Sequence, residues 1–470
     1  MEGQEGQIVN TTVVILAAGL GTRMKSKRAK VLHRAGGLPL VEHVIRAAKA
    51  VAAPERIFVV TGHQAEAVEA AVAHHGVQFA RQTEQKGTGH ALAQCAPQAS
   101  GLDGQLMVLV GDAPLLTSET LVRLRDQQVA SGTGGTLIST SVPDPTGYGR
   151  VILDGNGDVS AIVEHKACTP EQLRVNVINS AIYCLQADLV WGNLAKITPH
   201  PASGEYYLTD IFEILRKQGH RMGAMHLDDP NELLGINTRV ELAEADAILR
   251  ARKRRTLMLS GVTIEQPESV TIDMDVTAGQ DTVIEPHVRL LGATSIGEEC
   301  RIGAGSILEN MVVDSNVTIH AYSHLMQSHI SPQAEVGPFA RMRANSDVGV
   351  GAQVGNFAEL KNTKIRAGAK AHHVGYLGDT EIGEKANIGA GTIVCNYDGV
   401  MKHKTQIGAG AFIGSNSTLV APVVVGDDSY VAAGSVITHE VPTDALAFGR
   451  AHQTLKHGWV SNRRAKYPKK

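Results

Sequence analysis

The feature that most constrains this chain is a six-residue repeat, which starts near residue 262 and continues to Ile437. Each unit of six offers one aliphatic side chain for a core and one tight corner, so three units make one triangular coil. Successive coils can then pair as parallel strands about 4.8 Å apart. The repeat therefore predicts a parallel β-helix over residues 261–470. Its aliphatic positions are Ile284, Leu290, Ile296, Ile302 and Leu308; Ile330, Val336, Met342, Val348, Val354 and Leu360; Ile382, Ile388 and Val394; and Ile407, Ile413, Leu419, Val425, Val431 and Ile437.

The repeat loses its phase at two places. The first break lies between Leu360 and Ile382, and the second lies between Val394 and Ile407. The coils of a solenoid supply packing, whereas segments that depart from the repeat are a usual location for function. We therefore look for a site in these two segments, and we interpret the second as a loop that interrupts a coil.

The first half of the chain has a different pattern. Residues 12–18, 56–62 and 106–112 are continuous β-branched or aliphatic runs, which suit strands that are buried on both faces of a parallel sheet. Helical stretches lie between them, at residues 40–51 and 64–75. This alternation predicts an α/β domain with a Rossmann-like, doubly wound sheet, whose ligands bind at the carboxyl ends of the strands.

One long helix is predicted between the two patterns, over residues 238–259. Thr238 and Glu241 have capping-box spacing, in which the threonine caps the helix and the glutamate reaches back to its first backbone N–H groups. Acidic residues come early in this segment and basic residues come late, as the helix dipole prefers. We therefore divide the chain into a nucleotide-binding α/β domain (1–239), a helical linker (240–260) and a β-helix domain (261–470).

The composition excludes several classes of protein. The net charge is −3 with histidine neutral, so no overall basic field exists to hold nucleic acid or an anionic membrane. The chain begins with the polar stretch MEGQEGQIVN, which does not resemble a signal peptide, and no apolar run reaches transmembrane length. The cysteines are spread out without a CxxC pair, which argues against a disulfide framework or a structural zinc site. We therefore expect a cytoplasmic protein with small-molecule substrates. The cysteines are Cys95, Cys168, Cys184, Cys300 and Cys395.

A glycine-rich turn, LAAGLGTRM at residues 16–24, follows the first predicted strand. Glycines at such a turn let backbone N–H groups approach a phosphate chain without interference from side chains. Arg23 and Lys30 could neutralise the charge of that phosphate. The spacing matches neither a P-loop nor a dinucleotide-binding motif, and on its own this turn could equally be a tight strand-to-helix connection.

The spelling GTRM followed by KVLH resembles the nucleotidyltransferases that make nucleoside-diphosphate sugars. Further segments match that family in the same order, at residues 81–91, 109–116, 146–150, 163–167, 177–183 and 235–239. The resemblance implies that Arg23 and Lys30 act in catalysis and that Asp112 and Asn237 are metal ligands. The residues that it implies in binding the nucleotide sugar are Leu16, Ala17, Ala18, Gly19, Lys30, Gln82, Gly87, Thr88, Val110, Gly111, Asp112, Gly149, Glu164, Asn179 and Asn237.

The chemistry of this family explains these residue types. A sugar phosphate oxygen attacks the α-phosphorus of a nucleoside triphosphate and pyrophosphate leaves, so positioning and neutralisation of charge provide most of the rate. Mg²⁺ prefers oxygen ligands and keeps most of its waters, which suits Asp112 together with Asn237. Taken singly, Asp112 could instead cap a helix after a strand, and Glu164 could be a surface salt-bridge partner.

Six segments of the β-helix half carry a second resemblance. They are PFARMR (338–343), GNFAELKN (355–362), AKAHHVGYLGD (369–379), KANIGAGTIVCNYDG (385–399), FIGSNSTLVAP (412–422) and YVAAGSVI (430–437). They resemble the acetyltransferase domain of a family of bifunctional bacterial enzymes, in which a uridyltransferase is joined to a glucosamine-1-phosphate acetyltransferase. The family makes UDP-N-acetylglucosamine, a precursor of peptidoglycan and lipopolysaccharide. The resemblance implies a left-handed β-helix, an exception to the usual crossover rule, as well as Mg²⁺ and the co-substrates UTP and acetyl-CoA.

The acetyl transfer that this family catalyses needs a base, because an amine is protonated near neutral pH and must lose a proton before it attacks a thioester. Histidine titrates in the right range, and His372 and His373 are adjacent candidates. The family position is the second, so we expect His373 to be the base and Glu359 to orient it through a hydrogen bond. The resemblance assigns glucosamine phosphate to Arg343, Lys361, Tyr376 and Asn387, and acetyl-CoA to Ala390, Asn396, Tyr397, Ser415, Ala433 and Arg450.

Hexapeptide acyltransferases resemble one another in forming trimers, with the acyl-donor site between subunits. We therefore expect a homotrimer, in which the basic tail at residues 462–470 could contact the acetyl-CoA of a neighbour. Two alternatives stay open. One is a pyrophosphorylase with a single activity and a structural or regulatory β-helix, which would not need His373, Lys361 and Arg343. The other is a non-enzymatic sensor or scaffold for nucleotide sugars, which would not need a metal pair.

Three positions depart from the commonest spelling of the family. Alanine replaces the usual proline at residues 29 and 344, and Val110 replaces the usual tyrosine. We expect Ala29 to relax the backbone before Lys30, because proline fixes φ, and Val110 to remove an aromatic contact with the ligand. None of the three changes removes a charge or the expected base.

Overall fold

The computed structural model of the chain describes residues 10–201 and 204–467. Most of the stretch MEGQEGQIVN and residues 468–470 of the basic tail therefore lie outside the described residues. The chain divides into two compact units, Met1–Arg250 and Ala251–Lys470, and the division falls inside the predicted linker. Within the described ranges, no helix combines the length and the apolar character that a membrane span requires.

In residues 10–201 and 204–238, the first unit contains eleven strands and seven helices, and the long helix α8 follows them. The strands are β1 (Thr11–Leu16), β2 (Arg34–Ala35), β3 (Leu38–Pro39), β4 (Ile57–Thr61), β5 (Gln78–Arg81), β6 (Gln105–Val110), β7 (Gly135–Ser141), β8 (Arg150–Leu153), β9 (Val159–Val163), β10 (Val177–Gln186) and β11 (Met222–Leu227). The helices are α1 (Leu40–Ala48), α2 (Ala65–Val72), α3 (Thr88–Ala93), α4 (Ala96–Ala99), α5 (Ser118–Ser131), α6 (Ala187–Asn193), α7 (Asp210–Lys217) and α8 (Arg239–Leu259). Short 3₁₀ turns are Thr22–Met24, Lys30–Leu32, Pro54–Arg56, Ala73–His75, His165–Ala167, Gln172–Arg174, Leu194–Lys196 and Pro230–Leu233.

The first unit is built on one nine-stranded sheet with the order β11-β7-β10-β6-β1-β4-β5, to which the β8–β9 hairpin is attached. The strands β6, β1, β4 and β5 are parallel neighbours, as the buried runs predict. In contrast, β10 is antiparallel to both β6 and β7, so the sheet is mixed and not wholly parallel. The apolar pattern missed this strand because the polar pair Asn179–Ser180 interrupts it.

The central strands end earlier than their apolar runs. The run at 12–18 forms β1, which ends at Leu16, and the run at 106–112 forms β6, which ends at Val110. Hydrogen bonds still hold the chain just beyond these ends, because Ala17 N donates to Val60 O at 2.9 Å and Gly111 N donates to Leu16 O at 2.9 Å. The residues that follow therefore have fixed positions at the carboxyl edge of the sheet, where parallel sheets bind ligands.

The long helix α8 begins with the predicted capping box. Glu241 Oε2 accepts a hydrogen bond from the backbone N of Thr238 at 2.7 Å, and Glu241 N donates to Thr238 Oγ1 at 3.2 Å. The same carboxylate oxygen also accepts a bond from the backbone N of Asn237 at 2.7 Å. The cap therefore fixes the backbone of Asn237 as well as the start of the helix.

The second unit is a left-handed β-helix, as the repeat and the resemblance predict. Its strands form three parallel sheets of eleven, ten and nine strands. They are β12 (Thr263–Ile264), β13 (Thr271–Ile272), β14 (Thr277–Ala278), β15 (Val283–Ile284), β16 (Arg289–Leu291), β17 (Ser295–Ile296), β18 (Arg301–Ile302), β19 (Ile307–Glu309), β20 (Val312–Val313), β21 (Thr318–Ile319), β22 (His324–Met326), β23 (His329–Ile330), β24 (Glu335–Val336), β25 (Arg341–Arg343), β26 (Asp347–Val348), β27 (Gln353–Val354), β28 (Ala358–Lys361), β29 (Lys364–Ile365), β30 (Lys370–Ala371), β31 (Gly375–Gly378), β32 (Thr380–Ile382), β33 (Asn387–Ile388), β34 (Thr392–Cys395), β35 (Thr405–Ile407), β36 (Phe412–Ile413), β37 (Thr418–Val420), β38 (Val423–Val425), β39 (Tyr430–Val431), β40 (Val436–Ile437) and β41 (Leu446–Ala447). A 3₁₀ turn, Pro267–Ser269, lies in the first coil, and helix α9 (Trp459–Lys466) follows the last coil.

The core of the β-helix consists of the predicted aliphatic positions. Every one of them is buried, and they form one continuous apolar cluster along the coils. Each side chain lies above its counterpart one coil away, as Ile284 pairs with Ile302 and Ile302 with Ile319. This stack confirms the interpretation of the repeat as one inward aliphatic side chain per unit.

The two breaks in the repeat have different structural causes. Between Leu360 and Ile382 the coils continue without interruption through β29, β30 and β31, and Ile365 and Leu377 are buried in the core. This segment is therefore not an insertion. The phase slips because the steps from Leu360 to Ile365 and from Leu377 to Ile382 contain five residues each and not six. The second break is an inserted loop, as predicted, since Asn387 pairs directly with Phe412 and the loop contains its own bridge between Tyr397 and Lys402.

Candidate active sites

A cavity of about 510 Å³ lies at the carboxyl ends of β1 and β6 in the first unit. The residues expected to bind a nucleotide sugar that line it are Leu16, Ala17, Ala18, Gly19, Lys30, Gln82, Gly87, Thr88, Val110 and Asp112. Other lining residues were not expected, and they are Leu20, Gly21, Thr22, Val31, Gln85, Ala91, Glu205 and Tyr207. The first six of these are neighbours of predicted residues in the sequence. Glu205 and Tyr207 come from a distant segment, and no spacing in the sequence connects them with the cavity.

Cationic and oxygen-bearing side chains converge at one end of this cavity. The ammonium of Lys30 forms an ion pair with Asp112 Oδ2 and donates to Asn237 Oδ1 at 3.2 Å. Arg23 Nη2 donates to the same oxygen of Asn237 at 2.8 Å. Ile236 N donates to Asp112 O at 2.9 Å, which holds the segment containing Asn237 beside the end of β6. The side-chain oxygens of Asp112 and Asn237 therefore point at one shared cation.

The glycine-rich turn is shaped to let Lys30 reach this cluster. Gly21 has φ 62° and directly precedes the 3₁₀ turn Thr22–Met24. A Cβ atom at Gly21 would lie 2.6 Å from Cβ of Lys30, which is closer than side chains can approach. Glycine is therefore required here both for the left-handed backbone and for contact with Lys30.

The loop after β5 holds a buried glutamine. Gln82 Nε2 donates to Gly87 O at 3.2 Å and to His90 Nδ1 at 3.0 Å. Gly87 has φ 98°, and a Cβ atom there would lie 2.6 Å from the backbone oxygen of Tyr206. Thr88 Oγ1 accepts a hydrogen bond from Leu208 N at 3.0 Å. The segment at 205–208 thus closes over the loop, which explains how Glu205 and Tyr207 reach the cavity.

The expected sugar-binding residues form a separate group on the antiparallel part of the sheet. Asn179 N donates to Gly149 O at 2.9 Å, and a Cβ atom at Gly149 would lie 3.5 Å from Glu164 Oε1. Although the Glu164 side chain reaches solvent, partial burial raises the pKa of its carboxyl, and the negative charge of Asp210 adds to this shift. The structure therefore brings Gly149, Glu164 and Asn179 together, but they are not among the residues that line the cavity.

In the second unit, expected phosphate ligands lie side by side on one outer face of the β-helix. Arg343 in β25 and Lys361 in β28 are partners in the strand register. A hydrogen bond and the charge of Lys402 lower the pKa of Lys361, and the charge of Arg343 contributes. Lys402, which sequence reasoning missed, comes from the inserted loop. This face therefore concentrates positive charge, which suits a phosphate.

Glu359 does not orient His373 as the sequence analysis expected. Its carboxylate accepts a hydrogen bond from Arg343 Nη1 at 3.3 Å, and its other oxygen lies 3.9 Å from Arg341 Nη1. Within residues 204–467, no hydrogen bond joins Glu359 to His373. The expectation was wrong because two arginines on the same sheet compete for this carboxylate.

The adjacent histidines have different environments. His372 Nε2 lies 2.7 Å from Gln353 Oε1, so this nitrogen carries the proton and donates it. Burial lowers the pKa of His372, and the charges of Lys370 and His373 lower it further. The side chain of His373 is exposed, and its ring meets the His372 ring edge-on at 6.1 Å between centroids. Of the two, His373 is thus the histidine that a substrate could reach.

Small side chains form a column along the same corner of the β-helix. Gly391 N donates to Val374 O at 2.7 Å, Asn416 N donates to Ala390 O at 2.7 Å, and Gly434 N donates to Ser415 O at 2.8 Å. These bonds place Ala390, Ser415 and Ala433 one above another on successive coils, in line with the corner that carries His373. An extended ligand could therefore lie along this column without meeting a large side chain.

The remaining expected ligands are distributed around this corner. A Cβ atom at Gly378 would lie 2.5 Å from Tyr376 Oη and 2.8 Å from Asn396 Nδ2, so these two side chains meet above this glycine. Asn396 Nδ2 also donates to Asp379 Oδ2 at 2.5 Å. In the inserted loop, Tyr397 Oη donates to Gly399 O at 2.6 Å. Two other expected ligands lie apart from this group: Asn387 is on a neighbouring sheet, in β33, and Arg450 is exposed after β41.

Comparison with known proteins identifies both halves of the chain. The MobA-like NTP transferase domain matches residues 13–155, and the bacterial transferase hexapeptide (six repeats) matches residues 404–439. The bifunctional protein GlmU of Solibacter usitatus is 54% identical over 453 residues, which cover 96% of this chain and 97% of that protein. The proteins of the same name from Koribacter versatilis and a Synechococcus strain are 46% and 45% identical, over 97% and 96% of this chain and 98% and 99% of their own lengths. With such identity over almost the whole of each protein, the chain belongs to the GlmU family of bifunctional proteins.

Proposed function

We propose that the chain catalyses two consecutive reactions on one sugar phosphate. The second unit acetylates glucosamine 1-phosphate with acetyl-CoA, and the first unit transfers uridylyl from UTP to the N-acetylglucosamine 1-phosphate formed, releasing pyrophosphate and UDP-N-acetylglucosamine. Membership of a family of bifunctional proteins supports two activities in one chain. The observation that carries the proposal is that each unit has its own group of converging polar side chains, namely Lys30, Asp112 and Asn237 in the first and Arg343, Lys361 and Lys402 in the second.

In the first unit, Asp112 and Asn237 would hold Mg²⁺. Their oxygens fit a hard cation, since both already contact the ammonium of Lys30, and oxygen ligands are those that Mg²⁺ prefers. When bound there, Mg²⁺ would neutralise phosphate charge and help to orient the triphosphate. Lys30 and Arg23 would then neutralise the charge that develops on the leaving pyrophosphate, which is where fixed cations accelerate phosphoryl chemistry most.

Recognition in the first unit would be divided between two elements. The loop at residues 82–88 would contact the base, because Gln82 is fixed by its bonds to Gly87 and His90. Gly149, Glu164 and Asn179 would contact the sugar phosphate. Glu164 is suited to bind a hydroxyl or amide hydrogen, because a carboxylate accepts such bonds strongly in a partly buried place.

In the second unit, His373 would take a proton from the amine of glucosamine 1-phosphate. The nitrogen then attacks the thioester carbon, the carbon–sulfur bond breaks, and the CoA thiolate leaves and takes up a proton. Arg343 and Lys361 would hold the phosphate, with Lys402 as a third cation on the same face. The pantetheine chain would lie along the column of Ala390, Ser415 and Ala433. Tyr376, Asn387, Asn396, Tyr397 and Arg450 would complete the binding of the two substrates.

A homotrimer would complete the second site. His373 and the column of small side chains lie at an exposed corner of the β-helix, whereas acyl transfer from a thioester benefits from a site that excludes water. A neighbouring subunit would supply the missing wall.

The cytoplasm is the expected compartment, and the functional domains are those predicted at 1–239 and 261–470.

The test is an assay of both half-reactions in single-site variants of the full chain. We expect His373→Ala to lose acetyl transfer and keep uridylyl transfer, and Asp112→Ala to do the converse. The exposed residues His439 and Asp126 offer matched controls, since His439→Ala and Asp126→Ala should change neither rate. A His373→Ala protein that still acetylates would show that His373 is not the base. A wild-type chain that transfers no acetyl group would favour the alternative of a pyrophosphorylase with a structural β-helix, and an equal loss of both rates in either variant would contradict two separate sites.

A further inference from the structure

A group of metal-ligating side chains lies outside the nucleotide cavity, where α1 meets the 3₁₀ turn at Ala73–His75. Glu42 comes from the first turn of α1 and is buried. The Nε2 atoms of His74 and His75 lie 3.7 Å and 3.5 Å from Glu42 Oε1. The three ligand atoms all lie within 4.8 Å of one another, and none of these residues lines the cavity.

One nitrogen of this group is buried without a partner. The side chain of His75 is 9% exposed, and its Nε2 atom has no hydrogen-bond partner within the described part of the chain. A buried polar atom without a partner costs stability, and in native proteins it calls for an explanation such as a bound ion or water. This nitrogen faces Glu42 and His74, so a ligand placed between the three side chains would satisfy it.

The spacing of the three atoms suits a tetrahedral metal site. Zinc binds imidazole nitrogen and carboxylate oxygen at about 2.0–2.2 Å, which puts neighbouring ligand atoms of a tetrahedron about 3.3–3.6 Å apart. The two nitrogen–oxygen separations, 3.7 Å and 3.5 Å, are already close to this range. The side chain of His74 is 60% exposed, so the fourth position would face solvent and could hold water.

We propose that Glu42, His74 and His75 bind a divalent transition metal of the zinc class, at a site separate from the Mg²⁺ of the nucleotide cavity. Two imidazoles and one carboxylate favour zinc, cobalt or nickel, whereas magnesium prefers oxygen ligands alone. The site would tie α1 to the turn after α2. It would therefore be a structural clamp on two helices, α1 and α2, that both contact the 3₁₀ turn Lys30–Leu32.

Two cationic side chains, Arg46 and Lys49, contact the proposed ligands and must move when the metal binds. Arg46 Nη2 donates to Glu42 Oε1 at 2.6 Å, and Lys49 Nζ lies 3.0 Å from His75 Nδ1. The Arg46 side chain is 38% exposed and can use the other oxygen of Glu42, and Lys49 is exposed and can turn into solvent.

The test uses the untagged, EDTA-treated full chain with Zn²⁺ and Co²⁺ as probes. Calorimetry with Zn²⁺ should show one site that His75→Ala and the less disruptive His74→Ala each weaken at least tenfold. Co²⁺ should give the strong visible absorption of tetrahedral cobalt, and Zn²⁺ should raise the unfolding temperature of the wild type. The exposed His63 provides a control, since His63→Ala should bind like the wild type. Zinc affinity that is unchanged in both His74→Ala and His75→Ala, or the absence of a zinc site in the wild type, would overturn the proposal.

Discussion

The two units build their sites in different ways. In the first unit, Lys30, Asp112 and Asn237 are far apart in the sequence, and they meet because the connections that follow β1, β6 and β11 start at the same edge of the sheet. In the second unit, the column of Ala390, Ser415 and Ala433 repeats at intervals of one coil. In a sheet, the order of the strands therefore decides which distant residues meet. In a solenoid, residues that are one coil apart in the sequence lie next to each other in space.

This difference also determines how a mutation spreads. A solenoid coil contacts only its neighbours, so a change in one corner should affect the site that lies on it and little else. A residue at the edge of the sheet contacts several distant segments, so its replacement should alter more than one property of the first site.

Gly355→Ala should reduce acetyl transfer by about 10- to 100-fold and leave uridylyl transfer unchanged. A Cβ atom at Gly355 would overlap the backbone oxygen of His372, and overpacking of this kind costs about 1–3 kcal/mol, which would displace the corner that carries His373. Steady-state assays of both reactions measure the effect. Gly351→Asn is the control, because Gly351 has open space around it and φ 62°, which asparagine tolerates. A loss of both activities in Gly355→Ala would contradict the local character of the coil.

Lys30→Met should increase the affinity for Mn²⁺, used in place of Mg²⁺, by roughly tenfold, equivalent to about 1.4 kcal/mol, when no nucleotide is present. The Lys30 ammonium contacts both oxygens that we assign to the metal, so it competes with a divalent cation for them. Electron paramagnetic resonance of free Mn²⁺ gives the affinity. The same variant should lose uridylyl transfer, because Lys30 would no longer neutralise phosphate. Mn²⁺ binding that is weaker in Lys30→Met would show that the two cations do not share these ligands.

Glu164→Gln should raise the unfolding temperature at pH 7.5 by about 1–2 °C while it weakens binding of N-acetylglucosamine 1-phosphate. The folded state raises the pKa of Glu164 above its ordinary value of 4.5, so folding favours the protonated carboxyl. The ionised carboxylate therefore destabilises the folded state at a pH above the folded pKa of Glu164. This loss of stability disappears as the pH falls through the folded pKa towards 4.5. Thermal unfolding of both proteins between pH 5 and pH 8 should show a difference that shrinks at low pH. A difference in unfolding temperature that grows at low pH would contradict a raised pKa of Glu164 in the folded state.

Ala29→Pro should change the free energy of unfolding by less than about 0.5 kcal/mol. Ala29 has φ −53°, which lies in the range that proline imposes, so proline fits the folded backbone at this position. Its N–H donates to Gln64 Oε1 at 2.8 Å, and proline would lose this bond but would restrict the unfolded chain. Chemical denaturation measures the balance. The comparison is Gln64→Ala, which removes this bond together with the bond from Gln64 Nε2 to Lys27 O at 2.6 Å. A large loss in Ala29→Pro would mean that the hydrogen bond dominates.

The success of sequence reasoning followed the same contrast between the units. All the positions between Ile284 and Ile437 that the six-residue period assigned to the core are buried, because each coil repeats the same local geometry. Gln353 was missed because the outward residues of a coil carry no periodic signal, and Lys402 was missed because it lies in the inserted loop, which the repeat does not describe. In the first unit, Glu205 and Tyr207 could not be found, because their position depends on a loop that closes over Gly87. The bond expected between Glu359 and His373 was wrong because pairing across a sheet depends on competing neighbours, here two arginines.

The most direct test of two independent sites is to mix two inactive proteins. Neither Asp112→Ala nor His373→Ala alone should convert glucosamine 1-phosphate, acetyl-CoA and UTP into UDP-N-acetylglucosamine. When the purified variants are combined, the acetylated intermediate can diffuse from one protein to the other, and we predict that nucleotide-sugar production is restored. A mixture that stays inactive, although each variant retains its remaining half-reaction, would contradict the claim that the two sites work separately.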